Sequence, residues 1–330
     1  MKAKLKTLLP TGLLRGAAAS LLGLSLLAGS AQADNYPDRP VSVVVAYSPG
    51  GATDFQARIV TMMAAKEDYL GQPMVILNKP GAGGQVGWNW FAESASNDGY
   101  QLAAYNVPHF IAQSIVFDTK YNIDNLEPIA NWGADPAVLI APKDSPFNSA
   151  SDLVAYAKDN PGKVTVTGAG LYVGHHIATL QIEKAGGIEL KYIPTKGGVP
   201  AMKMVVGGQV MAGVNNLSDA YRNRERIKIL GVADLQRNEF LPDVPTLKEQ
   251  GLDVDDSSVN FRGIMAPKGT PQAVIDQLAG GVEAMFGDKK VAGKMKAGGS
   301  PMRIIPRAQV QQMWADRQTY LTELLKDLKP

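Results

Sequence analysis

The feature that most constrains this chain is an apolar run that passes directly into a glycine-rich turn. Residues 41–46 are Val-Ser-Val-Val-Val-Ala, and residues 47–54 are Tyr-Ser-Pro-Gly-Gly-Ala-Thr-Asp. An unbroken apolar run of this kind predicts a strand covered on both faces, as in a parallel sheet. From Phe55 the apolar positions recur at Ile59, Met62 and Met63, which predicts an amphipathic helix.

A turn that leads into a helix directs free backbone N–H groups and the positive end of the helix dipole at one point, which favours an anion. Thr53 and Gln56 have the spacing of a capping box, so Thr53 is the expected N-cap. Asp54 is expected to order the amides of the turn, a structural role that affects binding indirectly. The alternative for Asp54 is a general acid–base group.

The first 33 residues are predicted to be a secretory signal peptide. Lys2, Lys4, Lys6 and Arg15 form a positive leader, and an apolar segment of about 12 residues follows. That segment is well short of the ~20 residues that span a bilayer. Because small residues occupy positions −3 and −1, cleavage is expected after Ala33, and the location is expected to be periplasmic.

Composition excludes several classes of function. Removing the four positive charges of the leader leaves 29 Lys and Arg against 31 Asp and Glu, which does not favour nucleic acid as a partner. The chain has no cysteine, so disulfides and thiolate metal sites are excluded. A mature length of 297 residues fits two α/β domains.

Repeated strand, loop and helix units predict an α/β fold with a mostly parallel sheet flanked by helices in each domain. Two extended segments, residues 128–142 and 260–267, are expected to cross between the domains and to form a hinge. We therefore predict a first domain of residues 34–133 and 256–330, and a second of residues 134–255. A small-molecule site is expected between them.

Three glycine-rich loops follow predicted strands, at residues 48–54, 81–87 and 168–174. The carboxyl ends of strands are where ligands bind in open α/β sheets. The second and third loops have one residue too many for the G-x-G-x-x-G dinucleotide fingerprint. No nucleotide or other cofactor is therefore expected.

Catalytic and metal motifs are not found in the sequence. The three histidines, His109, His175 and His176, form no H-E-x-x-H pattern, and no G-x-S-x-G elbow occurs. No metal site and no enzyme activity are predicted. Asn106 and Asn215, at predicted strand ends, and one of the paired histidines are candidates to contact a ligand. Cations near the loops are few, so backbone amides are expected to recognise a carboxylate.

Eight motifs together resemble one known family. They are Pro-Gly-Gly-x-x-Asp at residues 49–54, Asn-Lys-Pro-Gly-Ala-Gly-Gly at 78–84, Asp-Gly-Tyr at 98–100, the glycine-rich loop and paired histidines at 168–176, Lys-Gly-Gly at 196–198, Gly-Gly-Gln-Val at 207–210, Leu-Pro-Asp-Val-Pro-Thr at 241–246 and Ala-Pro-Lys-Gly-Thr-Pro at 266–271. The chain resembles the Bug-type periplasmic receptors of tripartite tricarboxylate transporters over nearly all of residues 36–330.

The resemblance implies a two-domain Venus flytrap of the periplasmic-binding-protein type. Such a receptor holds a small organic acid, for example a dicarboxylate or tricarboxylate, and delivers it to integral membrane permease subunits. A monomer is expected. The residues expected to bind the ligand are Tyr47, Ser48, Gly51, Ala52, Thr53, Asp54, Gly83, Gly84, Asn106, Ala169, His175 and Asn215.

Two alternatives stay open at this stage: an exported α/β enzyme acting on a carboxylate, and a receptor that serves a sensor kinase. The chain also departs from the family pattern at two places, Thr195 before Lys-Gly-Gly and Phe-Arg-Gly at residues 261–263. Arg262 is expected to form a structural ion pair rather than to bind an additional carboxylate.

Overall fold

The computed structural model describes residues 36–327, which form two lobes, each built on its own β-sheet. The predicted signal peptide and its cleavage after Ala33 lie outside the described residues. The first lobe is defined here by a six-stranded sheet and the second by a five-stranded sheet, each with its helices.

The chain enters the first lobe, passes to the second and returns. The first passage contains β1 (Val41–Val45), α1 (Ala52–Val60), β2 (Met74–Asn78), α2 (Gln85–Ser94), β3 (Gln101–Val107), α3 (His109–Val116) and β4 (Leu126–Asp135). The second lobe contains β5 (Ala137–Pro142), α4 (Ala150–Asp159), β6 (Thr165–Gly168), α5 (Gly174–Gly186), β7 (Lys191–Pro194), α6 (Gly198–Val206), β8 (Ala212–Asn216), α7 (Leu217–Asn223) and β9 (Ile227–Ala233). The return to the first lobe adds β10 (Asn260–Pro267), α8 (Gln272–Phe286), α9 (Lys289–Ala297), β11 (Met302–Pro306) and α10 (Arg307–Asp327).

Both sheets are mixed rather than mostly parallel, so that part of the prediction is wrong. In the first sheet, ordered β11-β4-β10-β3-β1-β2, only the β3-β1-β2 pairs are parallel. In the second, ordered β7-β6-β8-β5-β9, only the β7-β6-β8 pairs are parallel. The reason is that the predicted crossing segments are themselves strands, and they pair antiparallel with their neighbours.

Strand β1 is buried as its sequence predicts. Val41, Val43, Val44 and Val45 are fully buried, and β1 lies between β2 and β3 with both pairings parallel. The parallel arrangement brings the carboxyl ends of the three strands to one edge of the sheet. The glycine-rich turn after β1 therefore lies at the same edge as the ends of β2 and β3.

Helix α1 buries a different face from the one predicted. The buried positions include Thr53, Gln56, Ala57 and Val60. The predicted apolar positions Phe55, Ile59 and Met62 are only partly buried. The inner face is thus partly polar. The physical reason lies beneath the helix, where a buried arginine and a buried aspartate need hydrogen-bond partners.

The second lobe packs apolar residues on both faces of its sheet. Along β5, Ala137, Leu139 and Ala141 face one cluster, whereas Val138 and Ile140 face the other. Such alternation is the normal consequence of a strand whose successive side chains point to opposite faces. The second lobe therefore has a core of its own.

The lobes are joined where strands end. Strand β4 of the first sheet stops at Asp135, Pro136 follows, and β5 begins the second sheet at Ala137. The carbonyl of Pro136 accepts a hydrogen bond of 2.8 Å from the amide of Leu217. The predicted two-domain class is confirmed, whereas the division after residues 133 and 255 stays a prediction.

Candidate functional site

The N-terminus of α1 opens towards the second lobe. Its N-cap is Gly51, and the first intrahelical bond runs from the amide of Phe55 to the carbonyl of Gly51 at 2.8 Å. The amides of Ala52, Thr53 and Asp54 precede that bond, so they have no acceptor within the helix. These amides and the helix dipole create positive potential at this end.

The predicted capping box is wrong, because Thr53 and Gln56 turn inward. Thr53 Oγ1 lies 2.9 Å from the Asn106 amide and accepts from Arg262 Nε at 3.2 Å. Gln56 is fully buried, and its Oε1 accepts from Trp132 Nε1 at 3.0 Å. Both polar side chains bond the interior of the lobe instead of the helix end.

Asp54 orders the turn, as the sequence suggested. Its carboxylate accepts from the Gly50 amide at 2.8 Å and from Asn78 Nδ2 at 2.8 Å, and it pairs with Arg58 at 2.9 Å. Burial by itself raises the pKa of Asp54, but these hydrogen bonds and the Arg58 charge outweigh it and hold the pKa below its usual value. The Asp54 carboxylate, in its ionised form, thus fixes the loop.

Gly83 and Gly84 shape the edge of the site. The Tyr47 hydroxyl donates to the Gly83 carbonyl at 2.8 Å. A Cβ on Gly84 would lie 2.6 Å from the Trp88 ring, and a Cβ on Gly170 of the second lobe would lie 2.5 Å from Gly83 Cα. Glycine is therefore needed where the two lobes touch.

The lobes are closed on each other along the cleft. The Ala52 amide donates to Asp219 Oδ2 of the second lobe at 3.3 Å. Gly51 and Val199 also approach closely, since a Cβ on Gly51 would lie 3.7 Å from Val199 Cγ2. Between these contacts lies a cavity of about 10 Å³, room for about one water molecule.

Eight of the predicted ligand residues line this cavity, namely Tyr47, Ser48, Gly51, Ala52, Thr53, Asn106, Ala169 and His175. Four predicted residues do not line it: Asp54, Gly83, Gly84 and Asn215. Four lining residues were missed: His109, Gly198, Asn216 and Asn260. The role of each in holding a ligand stays a prediction.

The error between Asn215 and Asn216 is one of alternation. Asn215 Nδ2 donates to the Gly198 carbonyl at 3.0 Å, whereas the neighbouring Asn216 lines the cavity. Successive residues of a strand point to opposite sides, so a strand end alone does not tell which of two asparagines faces the site. His109 could have been predicted as a site residue from its position just after β3.

Arg262 forms the predicted structural ion pair. Arg262 and Asp135 are both fully buried, and Nη1 lies 2.6 Å from Asp135 Oδ2. Nη2 donates to Asn216 Oδ1 at 2.7 Å, and the Ser218 amide donates to Asp135 Oδ1 at 3.1 Å. Because Asn216 and Ser218 belong to the second lobe, this network joins the lobes behind the cavity.

The two histidines of the cavity are neutral. Burial lowers the pKa of His175 to about 4, and the nearby Arg262 charge contributes. Burial lowers the pKa of His109 well below its usual range, and His175 and Arg262 lower it further. The Ala169 amide donates to His175 Nδ1 at 3.1 Å, so the ring proton is on Nε2. Nε2 is buried and makes no hydrogen bond of good geometry, but the Asn216 side chain interacts with the ring and raises its pKa, against the effect of burial.

Neither a cluster of metal-ligating side chains nor a membrane-spanning helix is found in the described part of the chain. No group of three or more histidines and acidic residues within 36–327 is placed to hold a metal ion. No helix in the same range has the length and apolarity needed to cross a membrane.

Two lobes, each with a sheet flanked by helices and with a polar cavity between them, define a periplasmic solute-binding fold. The solved structure of the periplasmic binding protein BugD matches with a TM-score of 0.82 and 30% identity, covering 89% of this chain and 98% of that one. The family model described as "Tripartite tricarboxylate transporter family receptor" matches residues 57–327. The chain belongs to this family of solute-binding receptors.

Further known proteins are similar to this chain over most of its length. The Cupriavidus necator "UPF0065 protein in gbd 5'region" is 35% identical over 266 residues, which cover 79% of each chain. MatC from Rhodopseudomonas palustris, solved with bound malate, is 27% identical with a TM-score of 0.78 and coverage of 88% and 99%. An R. palustris protein solved with adipate is 25% identical with a TM-score of 0.81 and coverage of 88% and 97%.

Proposed function

We propose that this chain captures a small organic carboxylate between its lobes and delivers it to the membrane permease of a tripartite tricarboxylate transporter. In this proposal the chain is exported to the periplasm, is cleaved after Ala33 and acts as a monomer without performing chemistry. Membership of the receptor family supports delivery to a permease.

The observation that carries the proposal is the N-terminus of α1 at the cavity. The Ala52 and Thr53 amides lie ahead of the first intrahelical bond, and both residues line the cavity. A carboxylate of the protein, that of Asp219, already accepts from the Ala52 amide in this closed arrangement. No aspartate or glutamate is among the described lining residues. A carboxylate accepts several N–H bonds at once and is stabilised by the helix dipole, so it suits this position. The malate and adipate structures of relatives support the same ligand class.

The absence of a reacting pair in the described residues supports a receptor over an enzyme. Within residues 36–327 no serine hydroxyl is hydrogen-bonded to a histidine ring. The Nδ1 atoms of His175 and His176 instead accept from backbone amides. A side-chain nucleophile hydrogen-bonded to its base is the arrangement that covalent acyl transfer uses.

A thermal-shift and calorimetry panel of mono-, di- and tricarboxylates on the mature chain tests binding. At a concentration of about 100 times Kd, the bound acid should add roughly 2.7 kcal/mol to the free energy of unfolding. Incubation of the complex, followed by NMR, should return the acid unchanged. A panel without any shift, or steady conversion of the acid to product, would contradict the proposal.

The variant Gly51→Val tests the position of the site. A Cβ at Gly51 meets only ordinary contacts, at 3.5 Å from the Ser48 carbonyl oxygen and 3.7 Å from Val199, so the first lobe should still fold. The added methyl groups would obstruct the amides at the helix N-terminus, and binding should be lost. The matched control is Gly293→Val, because a Cβ there meets nothing within 4 Å. Unchanged affinity in Gly51→Val would remove this turn from the site.

A further inference from the structure

One carboxylate of the protein lies at the N-terminus of α1. Oδ2 of Asp219 accepts from the Ala52 amide at 3.3 Å, and this bond joins the second lobe to the first. Asp219 belongs to the first turn of α7, and only 4% of its surface is exposed. The protein therefore fills with its own carboxylate the position that the proposed function gives to a carboxylate ligand.

A second helix N-terminus borders the same oxygen. Helix α6 begins at Gly198 after its N-cap Gly197, and a Cβ on Gly198 would lie 2.8 Å from Asp219 Oδ2. Asn216 Nδ2 donates to Oδ2 at 3.4 Å. Ala52, Gly198 and Asn216 all line the cavity. Oδ2 thus lies beside three residues of the cavity wall, where the positive ends of α1 and α6 both favour an anion.

An acid cannot use these groups while Asp219 does. A backbone amide has one hydrogen to donate, so a ligand oxygen that accepts from Ala52 must replace Oδ2. The cavity, at about 10 Å³, has room for about one water molecule, whereas small-molecule sites occupy roughly 300–1,000 Å³. Admitting an acid therefore requires the lobes to part, and the bond between Ala52 and Asp219 crosses the cleft that must open.

Displacement leaves the Asp219 carboxylate with a partner. It pairs with Arg222 of the same helix, so the ion pair moves with the second lobe. Burial raises the pKa of Asp219, and the Arg222 charge offsets this effect only in part. The carboxylate is thus incompletely stabilised where it is buried, and it keeps its cation when the lobes separate. Both properties favour its replacement by a ligand.

We infer that Asp219 is an internal competitor of the ligand: its carboxylate holds the lobes together at the N-terminus of α1, and an acid binds by displacing it. Asp219 therefore sets the affinity of the site without itself contacting the bound acid. The inference rests on the proposed function and adds to it the residue against which every acid must compete.

Asp219→Asn tests the inference, because it keeps the shape of the side chain and removes its charge. Calorimetry compares the mature wild type and variant with malonate, succinate, malate, adipate and citrate as probes. The acid that binds the wild type most tightly should bind the variant at least about tenfold more tightly, since a neutral amide oxygen accepts from Ala52 more weakly than a carboxylate does. Equal or weaker binding by the variant overturns the inference but leaves the proposed function intact. If neither protein binds any of these acids, both are contradicted.

Two further variants separate displacement from a simple change of charge. The double variant Arg222→Gln/Asp219→Asn has the net charge of the wild type and no unpaired arginine, so it should keep the gain of about tenfold. Glu225→Gln removes a negative charge from a side chain of the same lobe that is 87% exposed, and it should bind as the wild type does. A double variant with the affinity of the wild type overturns the inference, because the gain then came from the freed Arg222 charge. A gain in Glu225→Gln as large as that in Asp219→Asn overturns it as well.

Discussion

His176 is predicted to make the stability of this protein depend on pH between 7.5 and 5.5. Burial lowers the pKa of His176 to about 4, from an ordinary value of 6.5. The folded state therefore favours the neutral ring, and the unfolded state binds more protons throughout this window. The contribution is fully present above about pH 6.5, and it is lost as the pH falls towards 4.

The magnitude follows from the two pKa values. Between pH 7.5 and 5.5, protonation of the unfolded chain at one such histidine removes about 1.3 kcal/mol from the free energy of unfolding. His176→Phe deletes this proton linkage. The wild type should therefore lose about 1.3 kcal/mol more than the variant on the same change of pH.

Urea unfolding at the two pH values, followed by circular dichroism, measures the difference. His176→Phe should be less stable at both pH values, because the Tyr172 amide loses its acceptor at His176 Nδ1. The control is Tyr192→Phe, whose ring lies 4.4 Å from His176 and whose hydroxyl donates to the Gly170 carbonyl. It should keep the pH dependence of the wild type. If His176→Phe loses as much stability as the wild type, His176 is not a buried neutral ring and the reasoning fails.

Two further predictions concern the contacts between the lobes. Arg262→Met should lower the free energy of unfolding in urea by about 3–5 kcal/mol, because Asp135 is left buried and unpaired. The double variant Arg262→Met/Asp135→Asn should recover much of that loss. A single variant as stable as the wild type would contradict this prediction. In hydrogen exchange the Ala52 amide should exchange faster than the Ser218 amide. The Ala52 amide bonds Asp219 at 3.3 Å across the cleft, whereas the Ser218 amide bonds Asp135 at 3.1 Å in the network that joins the lobes behind the cavity. The reverse order of exchange would contradict this prediction.

The fold was predictable where local pattern decides it. The valines of β1 specify a buried strand, and the glycines at its end specify the turn before α1. The mixed sheets were not predicted, because strand direction depends on which neighbour pairs with β10. That pairing, with β3 on one side and β4 on the other, joins residues far apart in the chain.

The site was predictable at strand ends but not in side-chain direction. Asn106 was predicted because it lies near the end of β3. For β8 the prediction named Asn215, one residue before Asn216, which lines the cavity. Asn260 was missed because its segment was interpreted as a crossing rather than as the start of β10. The polar inner face of α1 was also missed, since its partner Arg262 lies more than 200 residues away in sequence.

The turn after β1 does more than present amides to an anion. Ala52 and Thr53, the first residues of helix α1, line the cavity, and the next turn contacts the network that joins the lobes through Gln56, whose Nε2 donates to Asp135 at 3.1 Å. Opening the lobes must separate Asp219 from Ala52 across the cleft, whereas the contact of Asn216 with Arg262 belongs to the network that joins the lobes. Helix α1 takes part both in the contact across the cleft and in the network that joins the lobes. A ligand that binds at its N-terminus therefore contacts a helix that also helps to hold the lobes together. Closure and carboxylate binding are therefore expected to be coupled through α1.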